Sequence, residues 1–156
     1  MSSLRQIQGM RTLLVVLGLA CGSSIEAGAQ AAAELDRSLE RLVADYTGLY
    51  TRDSLPRWRE MFLPTFTSAS IAADSTVSLR QLDGFFEAQE RAFKAAKRMG
   101  ERLENVRIER RGRLATVWAD FVYWYDDSER RGRLVLTAIC QRNVWRFASL
   151  MFSYYD

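Results

Sequence analysis

From Val106 to Tyr155 the chain alternates apolar and polar residues through four successive runs, and nothing else in the sequence constrains its fold as strongly. Val106 and Ile108 mark the first run. Residues 114–125, 134–142 and 144–155 form the other three. β-Branched and aromatic residues fill them. Turns separate them at Arg111-Gly112, at the "DDSERRG" segment and at Arg142-Asn143. This period of two predicts a meander of long antiparallel strands. One face of such a sheet needs covering by other elements of the chain.

The cover lies upstream. Leu35, Leu39, Leu42, Tyr46, Leu49 and Tyr50 recur at helical spacing through residues 31–50, so an amphipathic helix with one buried stripe is expected there. In "RDSLPRWREMFL", Ser54 is a candidate N-cap and Pro56 falls in the first turn. Trp58, Met61 and Phe62 then form the apolar side of a short second helix, which Pro64 ends. Residues 65–80 are rich in Ser, Thr and Ala and fit either two short strands or a strand and a loop. A third helix from Gln81 sets Leu82, Phe85, Phe86, Gln89 and Phe93 on one side, with Gly100 as terminator. Helices first and a strand meander after them describe an α+β domain, with helices on one sheet face.

Several functions are disfavoured by what the chain lacks. Among its 156 residues there is no histidine, which removes the commonest general base, metal ligand and triad partner. With two cysteines besides, no metal site and no cofactor are expected. The net charge of +3 comes from arginines interspersed with acids, without the clustered basic face of a nucleic-acid binder. No glycine-rich phosphate loop, paired cysteines or G-x-S-x-G turn occurs.

The N-terminus has the pattern of a secretory signal peptide. Arg5 and Arg11 precede the apolar run "TLLVVLGLA", which is too short to span a bilayer, and Ala27-Gly28-Ala29 offers small residues for cleavage before Gln30. The expectation is therefore a signal over residues 1–29, a mature domain over 30–156, and a periplasmic or secreted location with no membrane attachment. The competing site is a lipoprotein cysteine at Cys21, where Gly18 stands in place of the usual Leu. In the mature chain Cys140 is left without a disulfide partner and reads as a small buried hydrophobe.

One acid, Asp120, interrupts the aromatic run "VWADFVYWYDD". Strand side chains alternate faces, so parity can be carried across hairpins. A tight turn at Arg111-Gly112 groups Val106 and Ile108 with Ala115, Val117, Ala119, Phe121, Tyr123 and Tyr125 on the helix side. Asp120 then falls on the outer face with Trp118 and Trp124. A tight Arg142-Asn143 turn is expected to add Ala148, Leu150, Phe152 and Tyr154 to the inner face, and Trp145, Phe147 and Met151 to the outer one. Several tryptophans on one face mark an interaction surface, and a second copy of the sheet is the simplest partner.

The helix pattern together with "LPRWREMF", "LDGFFEAQERAF", "RLATVWADFVYWY" and "VWRFASLMFS" resembles the nuclear transport factor 2-like (NTF2-like) superfamily, its SnoaL-like group in particular. The resemblance covers the mature chain. It implies a cone-shaped α+β fold: a curved, mainly antiparallel sheet covered on one face by about three N-terminal helices, a pocket between them, and dimers through the outer sheet face. Members include isomerases, dehydratases, cyclases, hydrolases and non-catalytic binding domains, so the fold does not give the function. Catalytic relatives place an ionisable group, often Asp or His, within the cone. Here the parity leaves only aromatic, aliphatic and hydroxyl groups inside.

Three functions follow as expectations. The first is a homodimeric domain binding a small apolar ligand, with Tyr46, Tyr50, Trp58, Phe121, Tyr123, Tyr125, Phe152 and Tyr154 about the pocket. The second is an isomerase, dehydratase, cyclase or hydrolase using Asp120 as base, which requires Asp120 to face inward. The third is an interaction module whose cone is filled by its own aromatics. The expected dimer surface comprises Trp118, Asp120, Trp124, Trp145 and Phe147.

Overall fold

The computed structural model describes the backbone of residues 20–72 and 74–155, and side chains from Glu26 onward. Most of the expected signal segment, including its apolar run up to Leu19, lies outside these residues. Helix α1 (Ala20–Gly48) is followed by α2 (Leu55–Arg59), β1 (Phe62–Ile71), β2 (Val77–Gln81) and α3 (Leu82–Ala95). Four long strands close the chain: β3 (Met99–Arg111), β4 (Leu114–Tyr125), β5 (Ser128–Gln141) and β6 (Val144–Tyr154). The chain divides into two compact units, residues 1–34 and 35–156. In the first, the described part is helical and its side chains from Glu26 to Ala31 are exposed. The second carries the sheet.

Its sheet has the strand order β2-β1-β6-β5-β4-β3. Every neighbouring pair is antiparallel except β1 and β6, which run parallel. Residues 65–80 thus hold most of two strands, paired from Thr67↔Gln81 to Ile71↔Val77. Pro64 lies inside β1 rather than ending a helix, and Gly100 lies inside β3.

Helix α2 has one and a half turns, too short to persist alone. It is held by Trp58, whose indole is 1 % exposed and whose Nε1 donates to the Tyr46 carbonyl at 2.7 Å. The Trp58 ring also meets Tyr46, Tyr50, Phe62, Phe85 and Phe86. Burial of one such side chain is worth about 1.5–3 kcal/mol, more than the propensity of a short helix can supply. Arg52 donates to the Phe93 and Ala96 carbonyls, satisfying the open C-terminal end of α3. The Trp145 Nε1 donates to the Leu35 carbonyl at 3.1 Å, and Arg110 pairs with Asp36, so α1 is tied to both β6 and β3.

That placement of Trp145 corrects the expected face assignment. Trp145 and Phe147 are 4 % and 0 % exposed and lie in the core, not on the outer face. The Arg142-Asn143 turn has both residues at positive φ and pairs Cys140 with Trp145 and Ala138 with Phe147, all four on the buried side. A register shift then leaves Ala148 unpaired, so Leu150, Phe152 and Tyr154 return to that side as well. The first tight turn sits one residue later than expected: Arg111 pairs with Leu114, and Gly112 has φ +60°. This slides the pairing without changing parity, since the sum of paired numbers moves by two.

Candidate functional site

Between the sheet and the helices lies a cavity of about 220 Å³. The sheet contributes Phe121 and Tyr123 from β4, Leu134 from β5, and Leu150, Phe152 and Tyr154 from β6. Tyr46, Tyr50 and Trp58 close it from α1, the segment after it, and α2. Phe85, Ala88, Gln89 and Ala92 do so from α3, while Arg80 of edge strand β2 completes the lining. Of the residues expected about a pocket, Tyr125 alone is not part of this wall. Gly132 is opposite Phe121, and a Cβ there would stand 2.5 Å from the Phe121 ring and 2.2 Å from the Ser153 carbonyl oxygen. Only glycine lets that ring lie against β5.

The cavity also holds a carboxyl group, and it is not Asp120. Glu101, on β3, lines the wall. The residue as a whole is partly exposed, but its Oε1 is buried and has no hydrogen-bond partner among the described residues. Burial pushes its pKa up from 4.5 to about 8, while a hydrogen bond from the Tyr46 hydroxyl pulls the other way. Glu101 is therefore mostly a neutral acid near pH 7. Burial also raises the Tyr46 and Tyr50 hydroxyls well above the usual tyrosine range, with the Glu101 charge adding to it. Tyr123 is pushed up to about 12, first by burial. Tyr154 moves in the same direction, again through burial, against the pull of Arg130. All four phenols keep their protons at neutral pH and serve as donors. Tyr50 donates to Gln89 Oε1.

Glu101 points inward because β3 contains a bulge. Ile108 pairs with Val117 and Arg107 with Trp118, but Glu104 pairs with Asp120, so Asn105 and Val106 together oppose Ala119. Asn105 has φ +52°, a conformation Asn tolerates better than most residues. Below the bulge the buried parity switches from even to odd, and Leu103 pairs with Phe121, Glu101 with Tyr123 and Met99 with Tyr125. Val106, expected to face the helices, is 43 % exposed for the same reason. The expectation that no ionisable group enters the cone fails at this bulge. Its signal in the sequence is that Met99 and Leu103 are odd whereas Ile108 is even, with an Asn between them.

Asp120 lies on the opposite face. It accepts hydrogen bonds from Asn105 Nδ2 at 2.8 Å, Arg133 Nε at 3.0 Å and the Tyr155 hydroxyl. These donors, Tyr155 first, hold its pKa down at about 2. A carboxylate so satisfied is a poor base. Trp118 and Trp124 share this face and are half-buried, with Arg107 4.7 Å from the Trp118 ring and Arg98 6.0 Å from that of Trp124. Among the described residues no group of three His, Cys, Asp or Glu side chains is arranged to hold a metal.

No family model matches the sequence, and no curated protein matches it. Solved structures do match. An NTF2-like protein with a cystatin-like fold from Novosphingobium aromaticivorans has a TM-score of 0.65 at 14 % identity, over 89 % of this chain and 93 % of that one. An NTF-2 like protein of unknown function from Silicibacter pomeroyi has a TM-score of 0.58 at 18 % identity, over 80 % and 98 %. A candidate scytalone dehydratase, also from Novosphingobium aromaticivorans, has a TM-score of 0.62 at 15 % identity, over 77 % and 83 %. At these identities the likeness is one of fold.

Proposed function

We propose that this chain of NTF2-like fold binds a small, mainly apolar organic molecule carrying an oxygen function, and exchanges a proton with it through Glu101. One observation carries the reading: a buried carboxyl group with an unpartnered oxygen lines a tyrosine-walled cavity. An unsatisfied buried polar atom costs about 1–3 kcal/mol, so a partner supplied by a ligand is the economical explanation. A pKa of about 8 lets the group act as acid near neutrality and as base just above it. The tyrosine hydroxyls would orient the oxygen function. Isomerisation or dehydration suits one carboxyl group and several phenols. The dehydratase description of one structural neighbour is compatible with it.

A screen of small aromatic and alicyclic ketones, enones and phenols by thermal shift tests the binding. Deuterium uptake from heavy water into the hits, with wild type and Glu101→Gln, then tests the proton exchange. Ligands that stabilise both proteins but exchange only with wild type are expected. Exchange that survives in Glu101→Gln contradicts the role of this residue.

Two further expectations stay with the reading. Export is supported by the charged, apolar and small-residue order of the N-terminus, and none of the described helices is long and apolar enough to cross a membrane. Pairing of two copies through the outer sheet face is supported by half-buried Trp118 and Trp124 and by Met151 on the same face, which is 51 % exposed. Trp145 and Phe147 no longer belong to that surface. Sedimentation at micromolar concentration tests it, a dimer being expected and a monomer contradicting it.

A further inference from the structure

We propose that the molecule held in this cavity is an organic carboxylate, gripped by Arg80 at the solvent end while its apolar body and a second oxygen function lie inside. The inference rests on the small-molecule reading of the cavity and names the class of ligand.

Arg80 is an exposed residue of edge strand β2 and yet lines the cavity, so it stands where the interior meets water. Among the described residues, no carboxylate lies within ion-pair distance of it. The acids of the facing helix α3 are directed elsewhere: Asp83 pairs with Arg59, Glu87 sits beside Arg91, and exposed Glu90 is not in the wall. Arg130 does not line the cavity but covers one of its wall residues, its guanidinium 3.6 Å from the Tyr154 ring centroid. Within the cavity the one carboxyl group, Glu101, is mostly neutral near pH 7 and does not repel an anion. A cationic ligand would meet the Arg80 guanidinium, and a neutral one would leave it unused. The planar guanidinium fork matches a carboxylate in two parallel hydrogen bonds. Gln89 and the tyrosine hydroxyls are polar groups deeper in, placed to take the second oxygen function.

Three matched series separate the possibilities: carboxylic acids, their methyl esters, and the corresponding primary amines, each a ketone on a phenyl, naphthyl or cyclohexyl body. Affinities are measured by calorimetry for wild type, Arg80→Gln and Arg80→Lys. In wild type the acids should bind about tenfold tighter than the esters, the scale of one charge-assisted contact at a partly exposed site. Arg80→Gln should bring the acids to the ester level measured for the same variant, and Arg80→Lys should keep part of the preference. The preference should also shrink as salt is raised. Acids and esters binding alike, or an acid preference that survives Arg80→Gln, overturns this inference and leaves the cavity reading intact. Amines binding tightest overturns it too, in favour of a cation on ionised Glu101. If no member of any series binds wild type, the small-molecule reading falls with it.

Discussion

Asn105 donates its side-chain amide to Asp120 at 2.8 Å, and this bond ties the β3 bulge to β4 on the outer face of the sheet. Asp120 is on the outer face, while Asn105 is the bulge residue whose φ of +52° turns Glu101 toward the cavity. The acid that stands out in the sequence therefore does structural work. It fastens the irregularity that brings a less conspicuous acid inside.

Substitution at Asn105 should expose this dependence. Asn105→Val forces a β-branched residue into a left-handed conformation, costing about 1–2 kcal/mol, and removes the bond to Asp120. Asn105→Gly keeps the backbone accessible and loses only the bond. Denaturant unfolding should rank wild type first, Asn105→Gly second and Asn105→Val last. A valine variant as stable as wild type would show that the bulge is not held by this residue.

Asp120→Asn should alter stability with a particular pH signature. The folded pKa of Asp120 is depressed to about 2, so its charged form stabilises the fold above the unfolded carboxylate pKa, and the effect fades as pH falls toward 2. The gap in melting temperature between wild type and Asp120→Asn should be widest above pH 4 and close in stronger acid. Ligand exchange with Glu101 should persist in the variant. Loss of exchange in a folded Asp120→Asn protein would return the outer acid to consideration as a reacting group.

Glu101 predicts the opposite slope. Its folded pKa is raised, so between about pH 4.5 and 8 the native state binds more protons than the unfolded chain. Stability then falls as pH rises through this window, by at most about 1.4 kcal/mol per pH unit from this group. Glu101→Gln removes that slope and should be more stable than wild type at pH 8, where wild type must carry a buried charge or a proton. Parallel stability curves for the two proteins from pH 5 to 8 would contradict the burial of this carboxyl group.

The outline of the fold was legible in the sequence because period and turn chemistry are local. Alternation over residues 114–125 and the helical stripe from Leu35 to Tyr50 each point one way. The candidate site was legible only in part. Tyr46, Tyr50, Tyr123 and Tyr154 were readable as inward aromatics, and all line the cavity. Glu101 was not, because parity had to pass a bulge whose two residues oppose one. Trp145 and Phe147 were misplaced for a related reason, since the unpaired Ala148 separates two stretches of opposite parity that both face inward. Arg80 lies on a short strand with every residue exposed, and no periodic signal marks it as part of a wall.

Gly132 offers a test of the wall itself. A methyl group at that position would collide with the Phe121 ring and with the Ser153 carbonyl, which belongs to the backbone and cannot swing away. Gly132→Ala should destabilise by about 1–3 kcal/mol, the usual scale of overpacking, and should shift ligand affinity through displaced Phe121. Unchanged thermal unfolding would mean that Phe121 does not lie across β5 in solution.

Proton exchange in the cavity depends on Glu101 being a buried, mostly neutral acid there at neutral pH. Titration of its side-chain carboxyl carbon by NMR, assigned by comparison with Glu101→Gln, tests this most directly. A midpoint near 8 is the predicted result. A midpoint near the ordinary 4.5 would place the group in water and remove the basis for proton exchange in this cavity.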